Sequence, residues 1–172
     1  MNNALKSQAG ALAEGDHESL AAQLIAFTLG DDIYGIDILS VREIRVWSET
    51  TELPNAPAYV MGVINLRGII VPVFDLRARF GKGATEPSKR HVVIVVALEE
   101  RMIGILVDAV SDIIEFQPSD LRPVPEMEFG RESTFLNGLV TVDGNMIALV
   151  NTERVFAQHD MPDQLAAMEA EA

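Results

Sequence analysis

The chain contains no cysteine in its 172 residues, so neither a disulfide framework nor a catalytic thiol is possible. This absence fits a protein of a reducing cytoplasm. No run of about 20 apolar residues occurs, and the first residues lack the basic and then apolar pattern of a secretory signal. We therefore expect neither export nor direct insertion into a membrane.

Basic residues are scarce, because 13 Lys and Arg stand against 26 Asp and Glu, for a formal net charge of −13. Proteins that bind nucleic acid draw most of their affinity from cationic contacts with phosphates, which this charge would oppose. The composition argues against nucleic acid as a partner. Solubility is the simplest explanation of the acidity.

The patterns of common catalytic sites are also missing. The histidines His17, His91 and His159 have no second histidine or carboxylate at ligand spacing, which argues against a metal site or a general base. No serine lies in a nucleophile elbow, and residues 81–83 are too short for a phosphate-binding loop. We predict a protein that is not an enzyme and has no metal or cofactor. A small acidic enzyme with an unrecognised site is the alternative, and a pocket with converging polar groups would support it.

The stretch from Val60 to Phe80 is the most informative part of the sequence. It predicts a strand, a tight turn at Arg67-Gly68, a second strand, and a short helix for which Asp75 is the N-cap. Pro72 interrupts the apolar run of the second strand. Because proline cannot donate a backbone hydrogen bond, we expect an edge strand or a bulge at that point.

The same pattern recurs near the end of the chain. When Gly62 is placed on Gly138, the two hairpin turns and the two helix caps coincide. Upstream, placing Gly35 on Gly104 aligns two further apolar segments, YGIDILSVREI and IGILVDAVSDI. The sequence therefore predicts two similar β-rich halves.

Short strands with closely spaced turns, twice over, predict an all-β fold of two small barrels rather than a parallel sheet with crossover helices. We expect the first barrel at residues 23–81, the second at 90–150, and a closing helix at 151–158. Residues 1–22 are predicted to be a disordered tail, and 159–172 an acidic tail that includes a possible C-terminal helix.

Two charged residues with strongly apolar neighbours, Glu43 and Arg67, are expected on adjoining elements. As a surface ion pair they would contribute between zero and about 1 kcal/mol. Alternatively, they form the charged rim of an apolar contact, an anatomy that is common in interfaces. Core packing explains the same apolar residues equally well. Those residues are Val41, Ile44, Val63 and Leu66.

Five segments carry a family pattern: FTLGDDIYGIDILSVREIR, TELPNAPAYVMGVINLRGIIVPVFDLRARF, VVIVVALEERMIGILVDAVSDI, LRPVPE and FLNGLVTVDGNMIALVN. The frame G-V-x-N-L-R-G-x-x-x-P is the most specific part. From residue 23 to 158 the chain closely resembles CheW, the family of chemotaxis coupling proteins, and this frame also occurs in the regulatory domain of the kinase CheA. The resemblance implies two SH3-like five-stranded β-barrels packed together, with short helices and no catalysis.

The resemblance also implies partners, because proteins of this family join the cytoplasmic tip of methyl-accepting chemotaxis receptors to the histidine kinase CheA. The implied location is the cytoplasm, with recruitment to receptor arrays at the inner membrane. The implied receptor-binding residues are Val41, Glu43, Ile44, Gly62, Asn65 and Arg67, and the implied kinase-binding residues are Arg122 and Glu126. A CheW-like scaffold of a non-flagellar pathway, for surface motility or development, is an open alternative. A CheA fragment is disfavoured, since the chain has no phosphotransfer histidine on a helix and no nucleotide-binding pattern.

Overall fold

The computed structural model describes residues 22–157, and these are mostly β-structure. The strands are β1 (Ala22–Leu29), β2 (Asp32–Asp37), β3 (Val41–Val46), β4 (Val60–Leu66), β5 (Ile69–Asp75), β6 (Val92–Leu98), β7 (Arg101–Val107), β8 (Ala109–Phe116), β9 (Leu136–Val142) and β10 (Asn145–Val150). The helices are α1 (Leu76–Arg79), α2 (Glu126–Phe129) and α3 (Thr152–Val155), and 3-10 turns occupy Ile38–Ser40, Pro118–Asp120 and Gly130–Phe135. Apart from Ala22, which opens β1, the predicted tails at 1–22 and 159–172 lie outside the described residues, as does the possible C-terminal helix.

The strands form two five-stranded sheets that repeat one topology. Sheet A has the order β8-β1-β2-β10-β9, and sheet B has the order β3-β6-β7-β5-β4. When each strand is replaced by the one five positions away in chain order, for example β1 by β6 and β8 by β3, the order of sheet A becomes the order of sheet B. The aligned glycines Gly35 and Gly104 also occupy matching places, because each lies in the parallel strand pair of its sheet. The topology therefore confirms the internal repeat.

The predicted barrel boundaries, 23–81 and 90–150, are wrong. Hairpin β1-β2 lies in sheet A with three strands of the second half, and hairpin β6-β7 lies in sheet B with three strands of the first. Each opening hairpin has crossed to the other half, so that β1 pairs with β8 and β6 pairs with β3. The alternation of apolar residues records which face of a strand is buried but not which strand lies beside it. The exchange is therefore invisible in the pattern.

Each sheet curls until its two edges are joined by one isolated antiparallel bridge. Thr51, which follows β3, is bridged to Val63 of β4, and Arg122, which follows β8, is bridged to Leu139 of β9. In each bridge both residues donate a backbone hydrogen bond to the other, of 2.9 Å in sheet B and 2.8 Å in sheet A. Each bridge closes its sheet at one point, in the manner of a small barrel, and leaves the terminal strands as edges elsewhere.

The apolar run of β6 shows how the core is divided. Val93 and Val95 belong to a cluster within sheet B, whereas Ile94 and Val96 belong to the largest cluster, which combines residues of both sheets. Successive side chains of a strand point to opposite faces, so this strand is covered on both. A third, smaller cluster lies within sheet A, and its buried members are Leu24, Ala26 and Ile147.

The two predicted hairpin turns have the same geometry. Arg67 and Gly68 have φ values of 52° and 86°, and Asp143 and Gly144 have values of 51° and 80°. Positive φ at both central residues is the property of the type I′ turn, which matches the twist of the flanking strands. Both turn predictions are confirmed.

Pro72 does not lie on an edge strand, because β5 is between β7 and β4. The pairing with β7 begins at Val73, so the proline lies outside that ladder, and this accounts for its tolerance. The irregularity of the β4-β5 pair lies on β4, between Val60 and Gly62. The expectation of an edge strand or a bulge at Pro72 is therefore wrong.

The two predicted helix caps differ. Asn151 caps α3 as expected, because its Oδ1 accepts a 3.1 Å hydrogen bond from the amide of Arg154. This helix is shorter than the predicted 151–158, since Phe156 leaves the helical region with a φ of −120° and is buried in the main core. Asp75 precedes α1 but its side chain does not cap it.

The side chain of Asp75 instead forms hydrogen bonds with Thr85, in the linker between the two halves. Its carboxylate is fully buried and accepts hydrogen bonds of 2.7 Å from both the amide and the hydroxyl of Thr85. A buried carboxylate needs such donors to offset its desolvation. The predicted cap was wrong because a partner ten positions along the chain competes for the side chain.

Thr85→Val is expected to lower the free energy of unfolding by about 2 kcal/mol, measured by urea denaturation. Valine has nearly the shape of threonine but lacks the hydroxyl donor, so one hydrogen bond to the buried Asp75 is lost. Thr134→Val is the control, because the Thr134 hydroxyl is exposed and bonds to the carbonyl of Arg131. The control should change stability by less than about 0.5 kcal/mol. Equal losses would contradict a special role for the buried carboxylate.

Candidate interaction surfaces

Glu43 and Arg67 lie on either side of the seam of sheet B. We use seam for the line along which the two edge strands of a sheet, here β3 and β4, come together. Glu43 is in the edge strand β3, and Arg67 opens the turn that follows the opposite edge strand, β4. Oε2 of Glu43 is 3.3 Å from Nη2 of Arg67, and its Oε1 is 3.8 Å from Nε of Arg45. The prediction that these charges lie on adjoining elements is confirmed.

This ion pair contributes little to the fold. The side chain of Arg67 is 77% exposed, and that of Glu43 is 26% exposed. Pairs with this degree of solvent access contribute from zero to about 1 kcal/mol, because water screens the attraction and ordering long side chains costs entropy. The guanidinium group of Arg67 is thus presented to solvent at a fixed turn.

The four apolar residues predicted around this pair divide into buried and exposed members. Val63 and Leu66 are buried, so core packing is the correct interpretation for them. Val41 is half-buried against the main core, and Ile44 is 45% exposed. Val46, two residues further along β3, is also exposed, so this edge strand presents an apolar face, while Glu43 points to the opposite face of the strand.

Gly62 and Asn65 have structural roles in β4. Gly62 is buried, and a Cβ atom built on it would lie 2.4 Å from the carbonyl oxygen of Thr51. It therefore permits the close approach that joins the edges of sheet B, and it presents no side chain to a partner. Asn65 is exposed, and its Oδ1 accepts a 2.8 Å hydrogen bond from the amide of Gly68 across the turn.

The second predicted contact, Arg122 and Glu126, lies on sheet A. The backbone of Arg122 is fixed by its bridge to Leu139, and its side chain is exposed. Glu126 is exposed at the start of α2, and the next residue, Met127, is 100% exposed. Met127 thus supplies one flexible apolar side chain between acidic residues that the fold leaves exposed.

Sequence reasoning missed several exposed apolar residues. They are Leu39, Val46, Ile69, Ile70, Ile113, Met127 and Met146. The repeat would have found one of them, because Ile113 aligns with Ile44, which the sequence did single out, and both are exposed. Met146 aligns with Ile70, and both of these exposed residues were missed. Strand pattern alone misses such residues, since it does not tell which face of an edge strand the rest of the fold covers.

In the described part of the chain, a histidine side chain lies close to a carboxylate. Nε2 of His91 lies 3.6 Å from Oδ1 of Asp108, a pairing that the sequence does not show, and its Nδ1 accepts a hydrogen bond from the amide of Ser88. Within residues 22–157, no three potential metal ligands converge. An open groove of about 290 Å³ is lined by both polar and apolar side chains, which include Asp37 and Leu98. Over the same residues, no helix has the length and apolar character needed to cross a membrane.

Comparison with known proteins identifies the family of the chain. The profile of the CheW-like domain matches residues 23–160. The chain belongs to the CheW family. It is 46% identical to the chemotaxis protein CheW of Rhizobium meliloti over 138 residues, which are 80% of this chain and 89% of that protein. It is 42% identical to the probable chemotaxis protein CheW of Rhizobium etli over 158 residues, 92% of this chain and 96% of that protein.

A solved CheW structure has the same fold. The scaffolding protein TtCheW from Thermoanaerobacter tengcongensis matches with a TM-score of 0.74 and 32% identity, over 81% of this chain and 90% of that chain. The predicted all-β fold of two five-stranded, SH3-like subdomains is therefore confirmed.

Proposed function

We propose that this CheW-family protein is a non-catalytic adaptor that couples methyl-accepting chemotaxis receptors to the histidine kinase CheA. The observation that carries the proposal is the presence of two separate exposed surfaces. One, on sheet B, is the edge at β3, with Ile44 on one face of the strand and the Glu43–Arg67 pair on the other, and the second, on sheet A, combines Glu126 with Met127. Surfaces on different sheets allow two partners to bind at once.

The receptor contact is assigned to sheet B. An amphipathic receptor helix would bury its apolar face against Val41 and Ile44, in the helix-in-groove mode of peptide recognition. Glu43 and Arg67 would form the polar rim of this contact, where charges set orientation and association rate more than affinity. Gly62 and Asn65 would act indirectly, by shaping the strand and the turn that hold Arg67.

Coupling requires unequal binding energies. A receptor alters kinase activity through an adaptor only if the adaptor contacts differ in free energy between the kinase-on and kinase-off states. Equal binding to both states shifts nothing, however tight it is. We assign that difference to the exposed charges of the rim, since Arg67 is free to exchange Glu43 for a receptor group.

The kinase contact is assigned to Arg122 and Glu126. The bridge at Arg122 fixes the start of the segment, and Met127 supplies an apolar side chain that the fold does not bury. The regulatory domain of CheA carries the same sequence frame as this chain, so we propose that its similar barrels meet this end of sheet A.

Glu126→Lys is expected to weaken binding to the CheA regulatory domain about fivefold, because it reverses a charge in the proposed contact. Calorimetry on the purified proteins measures the affinity. Binding to a receptor cytoplasmic fragment should stay within about twofold, since that contact is on the other sheet. Glu153→Lys, an exposed acidic residue of α3, is the control with the same charge change. An unchanged affinity for the kinase domain in Glu126→Lys would remove this contact.

The first test of the whole function is binding to the CheA regulatory domain and to a receptor fragment, separately and together. We expect simultaneous binding to both, and recruitment to receptor arrays at the cytoplasmic face of the inner membrane would follow from it. The names of the matched relatives favour chemotaxis over surface motility or development. Binding to neither partner by a folded sample would move the proposal to a non-flagellar pathway.

A further inference from the structure

Four polar side chains from distant parts of the chain meet beside the segment that carries Glu126. We name Asp32, Tyr34, Lys82 and Glu132 the Lys82 clamp. Nζ of Lys82 is 2.8 Å from Oδ2 of Asp32, 2.6 Å from the Tyr34 hydroxyl and 3.3 Å from Oε2 of Glu132. The Tyr34 hydroxyl in turn donates a hydrogen bond to Glu132. Lys82, in the linker, thus holds the carboxylate of Glu132 against Tyr34 of β2. Glu132 lies in the closing loop of sheet A, which runs from Arg122 to Leu139.

Two members of the clamp are withdrawn from water, whereas the side chains of Lys82 and Asp32 are 31% and 63% exposed. Tyr34 is 1% exposed and Glu132 is 6% exposed. Burial raises the pKa of the Tyr34 hydroxyl, as does its bond to Glu132, so the hydroxyl stays protonated and donates. Burial alone would lower the pKa of Lys82, but its bonds to Asp32 and Tyr34 raise it overall, so the ammonium group stays charged. Removing that charge would leave the Glu132 carboxylate buried without its countercharge.

Helix α2, the segment beside the clamp, is too short to be stable by itself. Helix α2 has four residues, far fewer than an isolated helix needs. Its backbone bonds are long, since the amides of Glu128 and Phe129 lie 3.3 and 3.2 Å from the carbonyl of Pro125. Its conformation therefore depends on the bridge at Arg122, on partial burial of Phe129, and on Glu132, three residues beyond its end.

The other half of the repeat lacks this arrangement at the matching position. Ile103 stands where the repeat places a counterpart of Tyr34, and it is buried among apolar residues. The loop that leads from Thr51 to Val63 is also shorter than the loop from Arg122 to Leu139. Longer loops lose more entropy when ordered. The clamp is thus found beside the longer of the two closing loops.

We propose that the Lys82 clamp positions the kinase-binding segment, so that Glu126 and Met127 meet CheA in a fixed orientation. This inference rests on the kinase contact proposed above. Lys82 and Glu132 touch no partner themselves and act through the segment. Ordering the segment before binding removes an entropy cost that would otherwise weaken the complex.

The test uses the full chain with Lys82→Met, which removes the charge and keeps most of the stem. Hydrogen exchange at the amides of Glu128 and Phe129 should accelerate about tenfold, while exchange in β6 stays unchanged. Affinity for the CheA regulatory domain should fall about fivefold, and affinity for the receptor fragment should stay within about twofold. Lys82→Arg should restore both readouts. Lys89→Met, at an exposed linker lysine, is the control.

A double-mutant cycle separates positioning from general stability. In the Glu126→Ala background, Lys82→Met should reduce kinase affinity less than in the wild type, because the clamp acts through Glu126. A fully additive loss would overturn the positioning role. All samples are checked for folding by circular dichroism, and Lys82→Gln is the milder variant if Lys82→Met is unfolded at the assay temperature.

Two further results would overturn the inference in distinguishable ways. Unchanged exchange in α2, or accelerated exchange with unchanged kinase affinity, would remove the positioning role and leave the kinase contact in place. Unchanged kinase affinity in Glu126→Lys would remove the proposed contact itself, and the positioning role with it.

Discussion

Gly62→Ala is expected to lower the free energy of unfolding by about 3 kcal/mol. Gly62 has a φ of +127°, a conformation that L-residues rarely adopt. The new Cβ atom would lie 2.4 Å from the carbonyl oxygen of Thr51 and 2.8 Å from Oγ1 of Thr50. That carbonyl accepts the 2.9 Å hydrogen bond from Val63 that joins the edges of sheet B, so moving it breaks the bridge. Urea unfolding followed by circular dichroism measures the loss.

Gly68→Ala separates backbone strain from the steric clash. Gly68 also has a positive φ, of +86°, but no atom lies within 4 Å of a Cβ built on it. We expect a loss of about 1 kcal/mol from the strain alone. If Gly62→Ala lowers the free energy of unfolding no more than Gly68→Ala does, the backbone at Thr51 can move away from the new Cβ atom at little cost. Gly62 is then not needed for the close approach.

The same structural solution appears at the other seam. A Cβ atom on Gly138, the repeat counterpart of Gly62, would lie 2.7 Å from the carbonyl oxygen of Arg122. In both sheets a glycine of an edge strand allows the closing segment to bond to the residue after that glycine. A receptor-binding defect in a Gly62 variant would therefore arise through the shape of sheet B.

Local features of the fold could be predicted because their causes are local. A type I′ turn depends on two residues, and Arg67-Gly68 and Asp143-Gly144 supply the required backbone freedom. The repeat was recognisable for a related reason, since the two copies need the same small residues at the same turns and close approaches. Helix α3 was predicted from one side chain, Asn151, that bonds three positions ahead.

Long-range pairing could not be predicted in the same way. A hairpin has the same pattern of buried faces whether it pairs with its own half or with the other, so the exchange of β1-β2 and β6-β7 left no local trace. Asp75 shows the same limit for one side chain. Its sequence position suits a cap, but Thr85 supplies two donors from the linker.

The candidate surface was predictable in its charges and not in its apolar part. Glu43 and Arg67 stood out because each interrupts an apolar neighbourhood, and charged residues are seldom buried without a partner. Val63 and Ile44 look alike in sequence, yet one is buried and the other exposed. Their difference depends on how far the sheet curls over each face, which is a property of the whole fold.

The repeat places matching residues at the two seams, and the charges at these positions differ. Ile44 and its counterpart Ile113 are both exposed. The Glu43–Arg67 pair, however, aligns with Asp112 and Asp143, which are both acidic, and neither is buried. A partner able to dock on either seam would thus meet this positive group only on sheet B. We therefore propose that Arg67 selects between the two seams, since specificity often comes from repulsion at the wrong site.

Arg67→Glu is accordingly expected to weaken binding of a receptor cytoplasmic fragment about tenfold, or about 1.4 kcal/mol, because the seam of sheet B then carries the acidic charge of the other seam. Stability should fall by less than about 1 kcal/mol, since the ion pair is exposed. Calorimetry and receptor-dependent kinase control measure the effect. Arg90→Glu, an exposed linker residue, is the control with the same change of net charge. Receptor affinity and kinase control that are unaltered in folded Arg67→Glu would show that another feature selects the receptor surface.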